Sequence, residues 1–127
     1  MTGESGSVVR VHDVLIASVP SDPVDRTVSE LREEVLSRLH EAGPGGVILD
    51  LSAVHVMDSF FARTIAETAR MIRLLGGEPI VVGIRPSVAL TAAELGYDLG
   101  DIETARTTDQ ALDMLGLTME SAGDDGR

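Results

Sequence analysis

The chain has 127 residues, of which 43% are hydrophobic, 24% charged and 2% aromatic, as expected for one ordinary domain with an aliphatic core. Cys, Lys, Asn and Trp are absent, which excludes disulfides, thiolate chemistry, zinc–thiolate sites, Schiff-base lysines and Walker-type phosphate lysines. The formal charge of −11, from 21 acids against 10 arginines, argues against a nucleic-acid-binding face and suits a protein that meets other protein surfaces.

Residues 1–6 (MTGESG) and 118–127 (TMESAGDDGR) are small, polar and Gly-rich; they are expected to be a disordered N-terminus and a flexible acidic tail around one domain over 7–117. The first residues lack the basic region and apolar run of a secretion signal. No apolar stretch reaches the roughly 18 residues of a membrane helix, so a cytoplasmic protein without membrane attachment is expected. Val8, Val9 and Val11, then Val14 to Ala17, flank the turn-prone pair His12-Asp13 and predict an antiparallel hairpin. After Ser21-Asp22-Pro23, Thr27 and Glu30 have capping-box spacing ahead of Val28, Leu31, Val35 and Leu39, a helix ended by Gly43-Pro44-Gly45.

Val47 to Leu51 (VILDL) has the near-continuous apolar character of a strand covered on both faces. Asp58 stands where a helix cap belongs, and Ser59 to Leu75 keeps helical periodicity up to Gly76-Gly77. Ile80 to Ile84 is a second buried-type strand; Pro86 suits the first turn of a helix that stops at Gly96. Ile102 fits a last short strand, and Thr107 with Gln110 repeats the capping-box spacing before Ala111, Leu112, Met114 and Leu115. The order is that of an α/β domain with a mixed, mostly parallel β-sheet flanked by helices. In such a sheet, ligand and switch residues gather where strand carboxyl ends feed helices, here Asp50 to Phe60 and Gly83 to Thr91.

On the helix after Asp58, steps of 100° put Phe61, Ala62, Ile65, Ala69 and Ile72 on the sheet-facing stripe. The other side carries Arg63, Glu67 and Arg70 with Phe60, Met71 and Leu74, either scattered surface residues or a protein-contact face. Ser59 sits at the helix start. It is either a small polar residue completing the terminus or a phosphorylation switch, since a phosphoryl group adds roughly −1.5 to −2 charges and rewrites a surface without refolding it. The helix dipole tolerates that charge and Arg63, four residues on, is within reach, whereas Asp58 repels it.

Other chemistries fail on their residues. Asp50 lacks the acidic partners and the lysine of a phosphoaspartate receiver. His12, His40 and His55 fall in a hairpin, a helix end and a loop, too scattered for a metal site. No nucleophile-elbow pattern surrounds Ser59, and Gly43 to Gly46 lacks the context of a nucleotide loop. No catalytic residue, cofactor or metal is expected.

The run VILDLSAVHVMDSFFARTIAETARMIRLLGGEPIVVGIRPSVALTAAELG, Val47 to Gly96, resembles the STAS domain of anti-sigma factor antagonists, most closely the RsbS-type scaffold branch of stressosomes. LDLSAVHVMDSF, RLLGGEPIVVGI and RPSVALTAAELG carry the likeness. The resemblance implies that Ser59 accepts phosphate from an RsbT-type serine/threonine switch kinase, that a phosphatase reverses the mark, and that the chain self-associates or co-assembles with RsbR-type sensor paralogues. Phe60-Phe61 after the serine is similar to the stressosome branch rather than to sporulation-type antagonists, which have a small residue and then Gly. With only seven residues before Val8, a minimal scaffold fits better than a sensor. Thr91, in RPSVALT, matches a second phosphoacceptor of the sensor branch; it also reads as an ordinary helix-flank threonine. The function implied is a non-enzymatic scaffold that sequesters the kinase and releases it when Ser59 is phosphorylated, with Asp58, Phe60, Arg63, Glu67 and Leu90 as partner contacts. The alternative is a free antagonist that binds an anti-sigma factor kinase when dephosphorylated; a small-ligand module is a third class.

Overall fold

Val, Ile and Leu dominate the segments 14–18, 46–50 and 78–82, and each becomes a strand with helices on its flanks. The computed structural model describes residues 6–43, 45–97 and 101–116; apart from Gly6, the expected ends lie outside them, as does the domain boundary at 117. The order is β1 (Ser7–Val11), β2 (Val14–Ser18), α1 (Asp25–Ala42), β3 (Gly46–Asp50), α2 (Ser59–Leu74), β4 (Glu78–Val82), α3 (Pro86–Glu94), β5 (Glu103–Ala105) and α4 (Thr108–Met114). The sheet runs β1-β2-β3-β4-β5. β1 pairs antiparallel with β2, and every other pair is parallel. The expected hairpin turns at His12, which takes a φ of 56°.

Strand alternation divides the core in two. Leu15, Ala17, Val47, Leu49 and Val81 pack with Val35 of α1, Ile65 and Ile72 of α2, and Val88 and Ala92 of α3. Val14, Ile48, Ile80 and Val82 face the other way, onto Ala111 and Leu112 of α4. β3 is therefore covered on both faces, as its apolar run predicts. Among the described residues, no helix is long and apolar enough to cross a membrane.

Several boundaries differ from the sequence reading. The first helix begins at Asp25 with Val24 at its N-cap, so Thr27 is a helical residue and not a cap. The turn closes through Val28 N–H to the Val24 carbonyl at 3.2 Å, and the Asp25 carboxylate sits favourably at the positive end of the helix. β3 stops at Asp50, although Leu51 extends the pairing by donating to the Val82 carbonyl at 2.9 Å. β4 starts two residues early, at Glu78, and stops at Val82, two residues short of Ile84. Pro79 is tolerated there because β5 pairs only from Ile80 onward, leaving β4 a single neighbour at the residue that lacks an N–H. The last strand begins just after buried Ile102.

Candidate functional site

The connection from β3 to α2 is short, polar at its ends and pinned in the middle. Leu51, Val54 and Met57 are 0%, 0% and 5% exposed, three apolar anchors within seven residues. Val54 N–H donates to the Leu51 carbonyl at 3.0 Å. Asp50 Oδ1 accepts from Ser52 N–H at 2.9 Å and from Ser52 Oγ at 2.6 Å, an Asx turn that starts the loop in a fixed direction. Arg85, just ahead of α3, donates through Nη2 to the Ser52 carbonyl at 3.1 Å.

The loop delivers Asp58 to the head of α2 in extended geometry, where Oδ1 accepts the Phe61 N–H at 2.8 Å. This is the cap that the sequence predicts. Ser59 is the first helical residue, and its side chain is exposed. Among the described residues its hydroxyl has no hydrogen-bond partner. The Ser59 and Phe60 N–H groups belong to the first helical turn, which has no intrahelical acceptors. The serine is thus held by the rigid backbone on either side while its Oγ points into solvent.

Around it, the other expected residues fall into two groups. Phe60 is half-buried against the main core, and the Arg63 guanidinium lies 5.8 Å from its ring centroid, a cation–π stack at the surface. Arg63 is thus parked on Phe60 rather than turned toward Ser59. Glu67 is half-buried one turn further. Leu90 and Thr91 lie on α3, roughly 6–8 Å along the axis from its start. Leu90 is 60% exposed. Thr91 is half-buried and donates to the Ser87 carbonyl at 2.9 Å, so its hydroxyl is already engaged. No described hydrogen bond or ring contact joins either residue to the Ser59 end.

Sequence reasoning missed Val56. It is 79% exposed two residues before Asp58, between the anchors Val54 and Met57. Its apolar neighbours hide it in the sequence, because a loop has no period to mark which side chain turns outward. Among the described residues no group of three or more His, Cys, Asp or Glu could hold a metal ion.

The STAS domain family matches residues 7–111. The chain belongs to the STAS domain family. Among relatives of this STAS domain, YezB of Bacillus subtilis (strain 168) is 35% identical over 85 residues, covering 67% of this chain and 87% of its own length. The RsbT co-antagonist protein RsbRA of the same organism is 27% identical over 114 residues, covering 87% of this chain. That match takes in 40% of RsbRA's own length. Among solved structures, an RsbS of Moorella thermoacetica carrying a serine-to-glutamate substitution aligns with a TM-score of 0.81 and 31% identity, over 89% of this chain and 96% of its own. A chain from the stressosome, described as a signal integration and transduction hub, aligns at 0.78 with 33% identity, over 87% and 96%. SpoIIAA in its unphosphorylated form, at 0.70 and 14% identity over 88% and 98%, shares the fold.

Proposed function

We propose that this STAS domain is a non-enzymatic scaffold subunit of a stressosome. Unphosphorylated, it retains an RsbT-type serine/threonine switch kinase; phosphorylated on Ser59 by that kinase, it lets the kinase go to activate a stress-response sigma factor pathway, and a phosphatase restores the holding state. The observation that carries this reading is the exposed, unpartnered Ser59 hydroxyl fixed at the head of α2 by the Asp58 cap and the Leu51, Val54 and Met57 anchors.

A phosphoryl group there adds roughly −1.5 to −2 charges at a helix N-terminus, where the dipole and free N–H groups accept them without refolding. What changes is the surface at the head of α2, where Ser59 is exposed and an acidic or apolar partner patch seated there meets repulsion and desolvation. Likeness to the RsbS and stressosome chains, both above 30% identity over nearly their full length, supports the scaffold assignment. Likeness to RsbRA, an RsbT co-antagonist by name, supports co-assembly with sensor-type paralogues and the choice of kinase.

Incubation with the cognate switch kinase and ATP tests the reading. Wild type should incorporate phosphate and Ser59→Ala should not; full incorporation by Ser59→Ala overturns the assignment. Ser59→Asp should weaken kinase retention at least about tenfold, roughly 1.4 kcal/mol. Thr91→Ala should leave incorporation unchanged, because the Thr91 hydroxyl is committed to Ser87.

A further inference from the structure

The two edges of the sheet are closed in different ways. β5 pairs only with β4 and is three residues long, too short to offer another strand much to pair with. β1 has five residues, SVVRV, and β2 as its one neighbour. Ser7, Val9 and Val11 share one of its faces and carry no charge; Val9 is 51% exposed. An edge of that kind is a template for pairing with another chain.

The register shows which backbone groups it presents. The His12-Asp13 turn has two residues, so Val11 and Val14 exchange the first pair of hydrogen bonds. Alternation gives the next pairs to Val9 with Ile16 and Ser7 with Ser18, and leaves the N–H and C=O groups of Val8 and Arg10 directed away from β2, along the free edge. One of these groups is taken from across the fold. Arg38 of α1 donates Nη1 to the Val8 carbonyl at 2.7 Å. Glu34, one turn earlier on α1, lies 3.8 Å from the same Nη1 and holds the guanidinium from the helix side. The Arg38 side chain is 39% exposed, so most of its length is laid down on the protein. Arg10 turns its own Nε to the His12 carbonyl at 2.7 Å, which sets a second positive charge beside the turn. The fold has little need of the Arg38 contact, since water would serve a surface carbonyl as well.

We infer that Arg38 closes the β1 edge against a second copy of this chain. Two β1 strands related by a twofold axis through Val9 would run antiparallel, with Val8 of each copy opposite Arg10 of the other, and would use the outward groups of both residues while bringing the two Val9 side chains together. That arrangement needs the Val8 carbonyl as an acceptor, and the guanidinium occupies the place of the incoming N–H. A charged side chain at an edge is a known means of refusing such pairing. Copies of the chain are thereby directed to meet through side-chain surfaces and not by fusing their sheets. The inference is independent of Ser59 and of the stressosome reading.

Light scattering after size exclusion, with amide hydrogen exchange, tests it on the full chain. In wild type the Val8 and Arg10 N–H groups should exchange rapidly at every concentration. Arg38→Met keeps the apolar stem and removes the donor; it should melt like wild type when dilute, dimerise between about 10 µM and 1 mM, and slow those two amides at least about tenfold. Arg38→Ala is read in the same way, so the test does not hang on the folding of one variant. Arg38→Lys retains a donor and should behave as wild type. Arg10→Pro added to Arg38→Met should restore the wild-type mass, because that N–H faces away from β2 and its loss breaks only the new pairing. The proposal is overturned if the folded Arg38 variants gain no mass over that range, if they associate while both amides still exchange rapidly, or if the added proline leaves the dimer intact. Concentration-dependent protection of the same amides in wild type overturns it as well.

Discussion

Asp58 contributes to the start of α2 through one hydrogen bond, to the Phe61 N–H at 2.8 Å, whereas Ser59 Oγ contributes none among the described residues. Replacing an N-cap Asp by Ala costs about 1 kcal/mol. Asp58→Ala should therefore lower Tm by about 3–5 °C for a domain of this size, with Asp58→Ser recovering most of it in thermal melts. Ser59→Ala and Ser59→Asp should stay within about 0.5 kcal/mol of wild type, as exposed substitutions do. A loss on Ser59→Ala equal to that of Asp58→Ala would make the hydroxyl a structural element and remove the basis for a switch. The cap was legible in the sequence because Asp before a periodic apolar segment has a single mechanical meaning. The outward turn of Val56 was not, since Val54, Val56 and Met57 are all apolar and only tertiary anchoring decides which of them is left in water.

The elements differ in how much they owe to local sequence. α2 buries Phe61, Ala62, Ile65, Ala69 and Ile72 as its spacing predicts, and also Thr64, Ala66 and Thr68. On the Thr68 flank the extra width comes from α1, which packs beside α2 with Val28, Leu31 and Val35 next to Ile65 and Thr68. Thr68 pays for its burial by donating Oγ1 to the Thr64 carbonyl at 2.6 Å, so a polar residue sits in the core without an unsatisfied group. Ile72 is fully buried; Ile72→Ala should cost about 2–5 kcal/mol in urea unfolding. α1 misled the sequence reading because Thr27 and Glu30 carry capping-box spacing, while the helix gains a further turn from the Val24 carbonyl and the Asp25 charge. The end of β4 shows a tertiary cause that one sequence position hides. Gly83 halts the strand before Ile84 with φ +72°, and its missing side chain lets the Ser52 loop pack against it. Gly83→Ala should destabilise by more than about 1 kcal/mol, since both the backbone region and the space exclude a Cβ; a neutral result would show that the loop can move aside.

At the scale of the whole molecule, charge and exposed apolar surface pull assembly in opposite directions. A copy with a formal charge of −11 repels another at long range, although the effect is screened within about 8 Å at physiological salt. The charge is uneven. Residues 94–113 hold Glu94, Asp98, Asp101, Glu103, Asp109 and Asp113 against Arg106, whereas α2 carries Arg63, Arg70 and Arg73 against Glu67. On the helical layer Leu74 is 85% and Leu90 60% exposed, large apolar side chains of the kind that mark protein contacts. Self-association through these leucines should strengthen as salt is raised from about 0.02 to 0.3 M, because screening removes repulsion faster than it weakens apolar contact; association through the arginines should weaken instead. Light scattering after size exclusion separates the two. Mixed with a sensor-type STAS paralogue, the wild-type chain should enter a megadalton-scale particle far above its own 13.4 kDa. Leu74→Glu and Leu90→Glu should reduce that mass while leaving Tm unchanged. If the mixture stays at the mass of a monomer or dimer, the scaffold reading gives way to a free antagonist that acts on an anti-sigma factor kinase. If the particle forms but ignores both leucine substitutions, assembly uses another face and the exposed leucines of the helical layer are left for the kinase.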